Sequence, residues 1–185
     1  MEGVIALAHS ETCKIRPSTA AALIGLLALA SCSLFAKTVE VLPGYTMKLP
    51  YGYDAVDSAL NSSLPNSDAG QMKAMDIIQK KENTSIQMSV ARVDAGGMGK
   101  SIASIMDQAM GSKLGNSVFS KTIPSNVCTF DARGYQPPFG KATILTATCD
   151  EQGKSWMITW MYSGECDQKC QDLFATVVGS LKARK

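Results

Sequence analysis

Ser155-Trp156-Met157-Ile158-Thr159-Trp160-Met161-Tyr162 alternates with the period of a β-strand, yet carries large apolar side chains on both sides. Trp156, Ile158, Trp160 and Tyr162 fall on one face, Met157 and Met161 on the other. A strand that is apolar on both faces needs cover on both. Two segments have the helical spacing to supply it. Ile102, Ile105, Met106, Ala109 and Met110 recur at i, i+3, i+4, i+7 and i+8, and Cys170, Leu173, Phe174, Val177, Val178 and Leu181 repeat the pattern near the end. The expectation is an α+β domain of α/β/α layers.

Working outward, the strands come in local neighbours that can pair antiparallel. Lys141–Cys149 precedes the quoted strand across Asp150-Glu151-Gln152-Gly153, and Val127–Tyr135 lies before that. Further upstream, Met72–Lys80 and Ser85–Val93 flank Lys81-Glu82-Asn83-Thr84, a plausible hairpin turn. Val41–Tyr53 reads as a first strand, opened by Pro43-Gly44 and closed by Pro50, and residues 54–70 as a long polar loop. The expected order is β-β-β-α-β-β-β-α, with a mainly antiparallel sheet.

The chain has 185 residues, 18 Lys+Arg, 16 Asp+Glu and 45% hydrophobic residues, the range of one ordinary domain rather than of a disordered chain. A net charge of +2 argues against nucleic acid as a partner. Lys14 and Arg16 precede an uncharged run centred on Ala21–Ala30, which reads as a secretory leader over residues 1–36, leaving a single globular domain at 37–185. The only histidine, His9, lies in that leader. A mature chain without histidine lacks Ser-His and Cys-His catalysis and His-ligated metals. No cofactor and no metal are expected.

Two exits from the leader compete. Ala28-Leu29-Ala30 fits ordinary cleavage. Leu29-Ala30-Ser31-Cys32 resembles the bacterial lipobox, which would lipidate Cys32 and hold the protein to a membrane through that anchor only. Ser33 in place of Asp implies, by the same resemblance, the outer membrane. The lipoprotein reading is preferred, with the periplasm or outer membrane as the location.

Cys128, Cys149, Cys166 and Cys170 follow the leader, an even number suited to an oxidising compartment, and their spacing is poor for zinc. Of three possible connectivities, Cys128–Cys149 with Cys166–Cys170 is expected. A hairpin pairing Tyr135 with Ala142 would set Cys128 directly opposite Cys149. Cys166 must then precede the last helix, because i, i+4 cysteines within a helix stand too far apart at Cβ. That helix should begin near Asp167 or later.

Gly44-Tyr45-Thr46-Met47-Lys48-Leu49-Pro50-Tyr51-Gly52-Tyr53 resembles the opening strand of the PsbP-like superfamily, which includes the DcrB-type bacterial lipoproteins. Element order over residues 40–183 is similar, closing helix and Ser180-Leu181-Lys182 included. The loop at 54–70 and the four cysteines depart from the family. Members bind unrelated partners, so the resemblance implies fold rather than function.

Asp94–Ser101 (DAGGMGKS) has the look of a phosphate-binding loop, but Asp94 stands where the first glycine belongs, and a glycine-rich strand-to-helix turn is favoured. Met106/Met110 and Met157/Met161 suggest soft copper ligands less well than core fillers. Asp131, Asp150 and Glu151 are the carboxylates from which a hydrolase would have to be built. Arg133, Tyr135 and Phe139 flank the Pro137-Pro138 loop and form the best partner-contact candidate. The functional expectation is an exported, lipid-anchored, non-catalytic binding or accessory protein of the bacterial envelope, whose partner is an envelope protein or lipid. The alternative is a carboxylate-based hydrolase or, behind it, a nucleotide binder at Asp94–Ser101.

Overall fold

A computed structural model describes residues 35–59, 61, 66–67, 70–80, 84–94, 104, 108, 116–137 and 142–184, all within the compact unit Ser33–Lys185. Strands β1 (Phe35–Leu42) and β2 (Tyr45–Pro50) form a hairpin, followed by β3 (Tyr53–Asp57), β4 (Asn66–Ser67), β5 (Gly70–Gln79) and β6 (Thr84–Val93). Next come β7 (Asn116–Pro124), β8 (Thr129–Gln136), β9 (Ala142–Glu151) and β10 (Lys154–Ser163). Helix α1 (Gln168–Gly179) and the short β11 (Lys182–Ala183) close the chain.

The eight-stranded sheet runs β3-β5-β6-β10-β9-β8-β7 with β4 paired onto β5, and every pairing is antiparallel. β10 lies at its centre. Trp156, Ile158 and Trp160 are fully buried on one face, where Val90 and Met88 of β6 and Ala147 and Leu145 of β9 are their cross-strand neighbours. The other face differs from the expectation of a second apolar surface. Met161 is 49% exposed, and the buried positions there are small or hydroxylated: Ser155, Thr146, Thr148 and Ala91.

The apolar face is covered by two elements rather than one. Helix α1 sets Phe174 edge-on against Trp160, with ring centroids 5.4 Å apart, and buries Val177 and Val178 beside it. The second cover is a three-stranded sheet, β1-β2-β11, whose Val39, Val41, Met47 and Leu49 join the same core. Eleven strands and one helix have described bounds, so among the described residues the expected order β-β-β-α-β-β-β-α and its α/β/α layering are not matched. The reason is local. Pro43-Gly44 (Gly44 at φ +77°) makes a turn inside the segment read as one strand, and Gly52 at φ +90° makes another, so the chain doubles back into a hairpin. The helix expected over Ile102–Met110 lies outside the described residues, as do Met106 and Met110. Ser104 and Gln108, described between them, are helical and exposed.

The cysteine sulfurs stand at disulfide distance in two pairs, Cys128 with Cys149 and Cys166 with Cys170. The register expected to bring about the first pair is corrected. Tyr135 pairs with Ile144, not Ala142, so Cys149 faces Phe130 and Cys128 lies diagonally beside it, with Cα atoms 6.4 Å apart. A slip of two residues preserves the face, which is why the pair still meets. Cys166 lies before α1, where its N–H donates to Thr143 Oγ1, and Asp167 is the N-cap, accepting from Cys170 N at 2.9 Å.

Candidate functional site

A polar groove opens where α1, β7 and the outer face of the small sheet meet. Strand alternation on β2 turns Met47 and Leu49 inward, so Thr46 and Lys48 point outward. Pairing of β11 with β2 places Lys182 opposite Thr46, on the same outer face as Lys48. Ser180, the C-cap of α1, locks the helix end to this strand. Its hydroxyl accepts the Lys48 N–H at 2.8 Å and donates to Val177 O at 2.6 Å. Lys121 and Thr122 come from β7.

Asn126 completes the wall. It lies in a turn held by Ser125, whose hydroxyl accepts from the N–H of Val127 and of Cys128 and donates to Cys128 O. The Cys128–Cys149 pair ties that turn to the central sheet.

One cavity of the groove has a volume of about 640 Å³, and Asp172 is the carboxylate on its described wall, set against Lys48, Lys121 and Lys182. Asp172 is itself engaged, accepting from Gln168 Nε2 at 2.9 Å. An adjoining cavity of about 740 Å³ shares Asn126 and Lys182 and adds Thr46 and Arg184. Thr46 is 8% exposed, and its buried hydroxyl has no hydrogen-bond partner. Helix C-termini carry partial negative charge. The last-turn carbonyls of Val177 and Val178 are already taken by Ser180 and Leu181 N–H groups, so the lysines dominate the groove.

The residues singled out from sequence fall elsewhere. Tyr135 is 1% exposed, so its ring belongs to the interior and not to a contact surface. Arg133 is half-buried and pairs with Asp131 at 3.0 Å, while Phe139 lies outside the described residues. Asp150 accepts from Ser155 Oγ at 2.6 Å. Glu151 accepts from Trp156 Nε1 at 3.0 Å and lies 3.7 Å from the Arg92 guanidinium, which lies over the rings of Tyr45 and Trp156, themselves packed edge to face. Glu151 therefore holds a half-buried aromatic–arginine cluster, and Asp131, Asp150 and Glu151 line neither cavity of the groove. Asp94 forms an ion pair with Lys154 at 2.8 Å, and residues 95–101 lie outside the described residues. Met157 is half-buried, and Met161 is not a core filler. Among the described residues no three His, Cys, Asp or Glu side chains cluster as a metal site.

Sequence reasoning missed the groove because its lysines are 134 positions apart at the extremes and carry no local motif. Strand β7 went unread, since Asn116–Pro124 alternates only weakly.

The solution structure of cyanobacterial PsbP (CyanoP) from Synechocystis sp. PCC 6803 matches at a TM-score of 0.47 and 14% identity, over 76% of this chain and 86% of that one. The chain is similar to a PsbP protein. A crystal structure from Bacteroides thetaiotaomicron VPI-5482 matches at a TM-score of 0.41 and 10% identity, over 77% of this chain and 46% of that one. No family model and no curated protein matches the sequence. No helix among the described residues is long and apolar enough to cross a membrane.

Proposed function

We propose that the chain is an exported, lipid-anchored accessory protein of the bacterial envelope that binds an anionic partner without catalysing a reaction. The observation that carries the binding reading is the groove: Lys48, Lys121 and Lys182 against Asp172, with Thr122, Asn126 and Ser180 between them. Lysine ammonium groups act as point charges for oxyanions, and hydroxyl and amide groups supply orienting hydrogen bonds. The volume, about 640 Å³, is that of a site for a small ligand or for the headgroup of a larger one. Two cysteine pairs at disulfide distance favour an oxidising compartment, in keeping with the leader and the cysteine at its end.

The test is an NMR titration of the folded protein with a short polyphosphate at low salt. The reading expects shifts centred on Lys121, Asn126 and Lys182. It also expects about tenfold weaker binding in a Lys121→Ala/Lys182→Ala variant, the size of losing about 1.4 kcal/mol of charge-assisted contacts. Shifts spread evenly over the surface, or equal binding by the variant, would contradict it.

A further inference from the structure

Tyr51 is 85% exposed, the highest among the large apolar side chains described. Its position is fixed rather than incidental. It occupies the turn between β2 and β3, ahead of Gly52, whose carbonyl accepts the Lys80 N–H at 3.0 Å. A rigid turn that holds a phenol in solvent exposes apolar area that a small rotation inward would cover.

Around Tyr51 the surface is cationic. Lys37 of β1 and Lys80 at the end of β5 both reach Asp54, at 2.8 and 2.9 Å, two ammonium groups sharing one carboxylate. Both lysines remain substantially exposed, at 46% and 64% of their side chains.

The third observation is where the chain enters the domain. Phe35 pairs with Pro50, the residue before Tyr51, so β1 begins beside this turn. Cys32 precedes Phe35 by three residues, a reach of at most about 10 Å for an extended chain. A lipid on Cys32 would therefore draw this end of the domain against the bilayer. Tyrosine is a residue of the headgroup region, with an apolar ring and a polar tip, and lysines beside it suit anionic headgroups.

We infer that the β2–β3 turn at Tyr51 is the bilayer-contact surface of the domain, resting on an anionic membrane leaflet. The inference rests on the lipid-anchor reading above and adds an orientation to it. Lys48, the groove residue nearest to Tyr51 along the chain, lies three positions away, about 10 Å at strand rise, so the groove would open close above the headgroups.

The experiment uses full-length lipidated protein with Tyr51→Trp, reconstituted in phosphatidylglycerol–phosphatidylethanolamine vesicles. Trp156 and Trp160 are fully buried, so a response to lipid reports the new indole. Co-flotation with the vesicles reads the anchor, and quenching by brominated acyl chains reads the contact. The inference expects flotation together with loss of about half the added fluorescence, as for an indole at the headgroup–acyl boundary. A Val118→Trp control on β7 should stay unquenched. Flotation with an unquenched Trp at position 51, or equal quenching at both positions, overturns the orientation while leaving the anchor intact. Failure to float overturns both.

Discussion

Gly134 on β8 shows how little freedom the core has at single positions. A Cβ there would lie 2.7 Å from Leu145 Cδ2 and 2.7 Å from Phe119 Cβ. Phe119 cannot simply withdraw, because its ring packs edge-on against Phe174 at 6.2 Å and Phe174 in turn against Trp160. Gly134→Ala is expected to cost about 1–3 kcal/mol through overpacking, measured as a lowered urea midpoint at unchanged slope. A neutral result would mean that the Phe119–Phe174–Trp160 stack can shift. On the surface, hydrogen bonds from Lys37 and then Lys80 hold the Asp54 carboxyl below the usual carboxylate range. Its folded value is depressed, so its contribution to stability is present above the unfolded value and is lost as pH falls through the folded one. Lys80→Ala is expected to move the Asp54 titration midpoint upward by carboxyl-detected NMR. An unmoved midpoint would leave Lys37 as the whole cause.

Among the elements, α1 was the most legible, because its start had a geometric reason. Cys166 and Cys170 can pair only if Cys166 lies outside the helix, and Asp167 takes the N-cap. Asp167→Ala should cost about 1 kcal/mol by removing the acceptor for Cys170 N–H, seen in thermal denaturation. The β8–β9 hairpin was legible in identity but not in register. Pairing through Tyr135 and Ile144 ends the ladder two residues before Pro137, which lacks an N–H to extend it. Loop-closure entropy over a separation of 21 residues makes the Cys128–Cys149 link worth about 3 kcal/mol, and the link of separation 4 about 2 or less. The Cys128→Ser/Cys149→Ser variant should therefore unfold well before Cys166→Ser/Cys170→Ser does. The reverse order in a denaturant series would argue that the first pair stays reduced. The β1–β2 hairpin replaces the single strand expected over Val41–Tyr53 because Pro43-Gly44 connects two strands instead of opening one.

At the scale of the molecule, the apolar pattern of β10 implies burial of both faces, and the structure buries one: Trp156, Ile158 and Trp160 lie in the core, whereas Met161 on the other face is 49% exposed. The pattern did not foretell what covers the buried face. A helix and a small hairpin sheet bury apolar side chains equally well, and periodicity in the covered strand does not distinguish them. The groove was illegible for a related reason: Lys48, Lys121 and Lys182 meet only after β11 has paired with β2 and α1 has packed between β2 and β7. In the proposed orientation, a lipid on Cys32 would set both the Tyr51 turn and the cation-lined groove relative to the bilayer. The most direct measurement is the intact mass of the N-terminal peptide from protein purified out of its native membranes. The account predicts a peptide beginning at a lipidated Cys32, and membrane release of the Cys32→Ser protein. An unmodified terminus at Ser31 or Lys37, or unchanged membrane association of the variant, would contradict it.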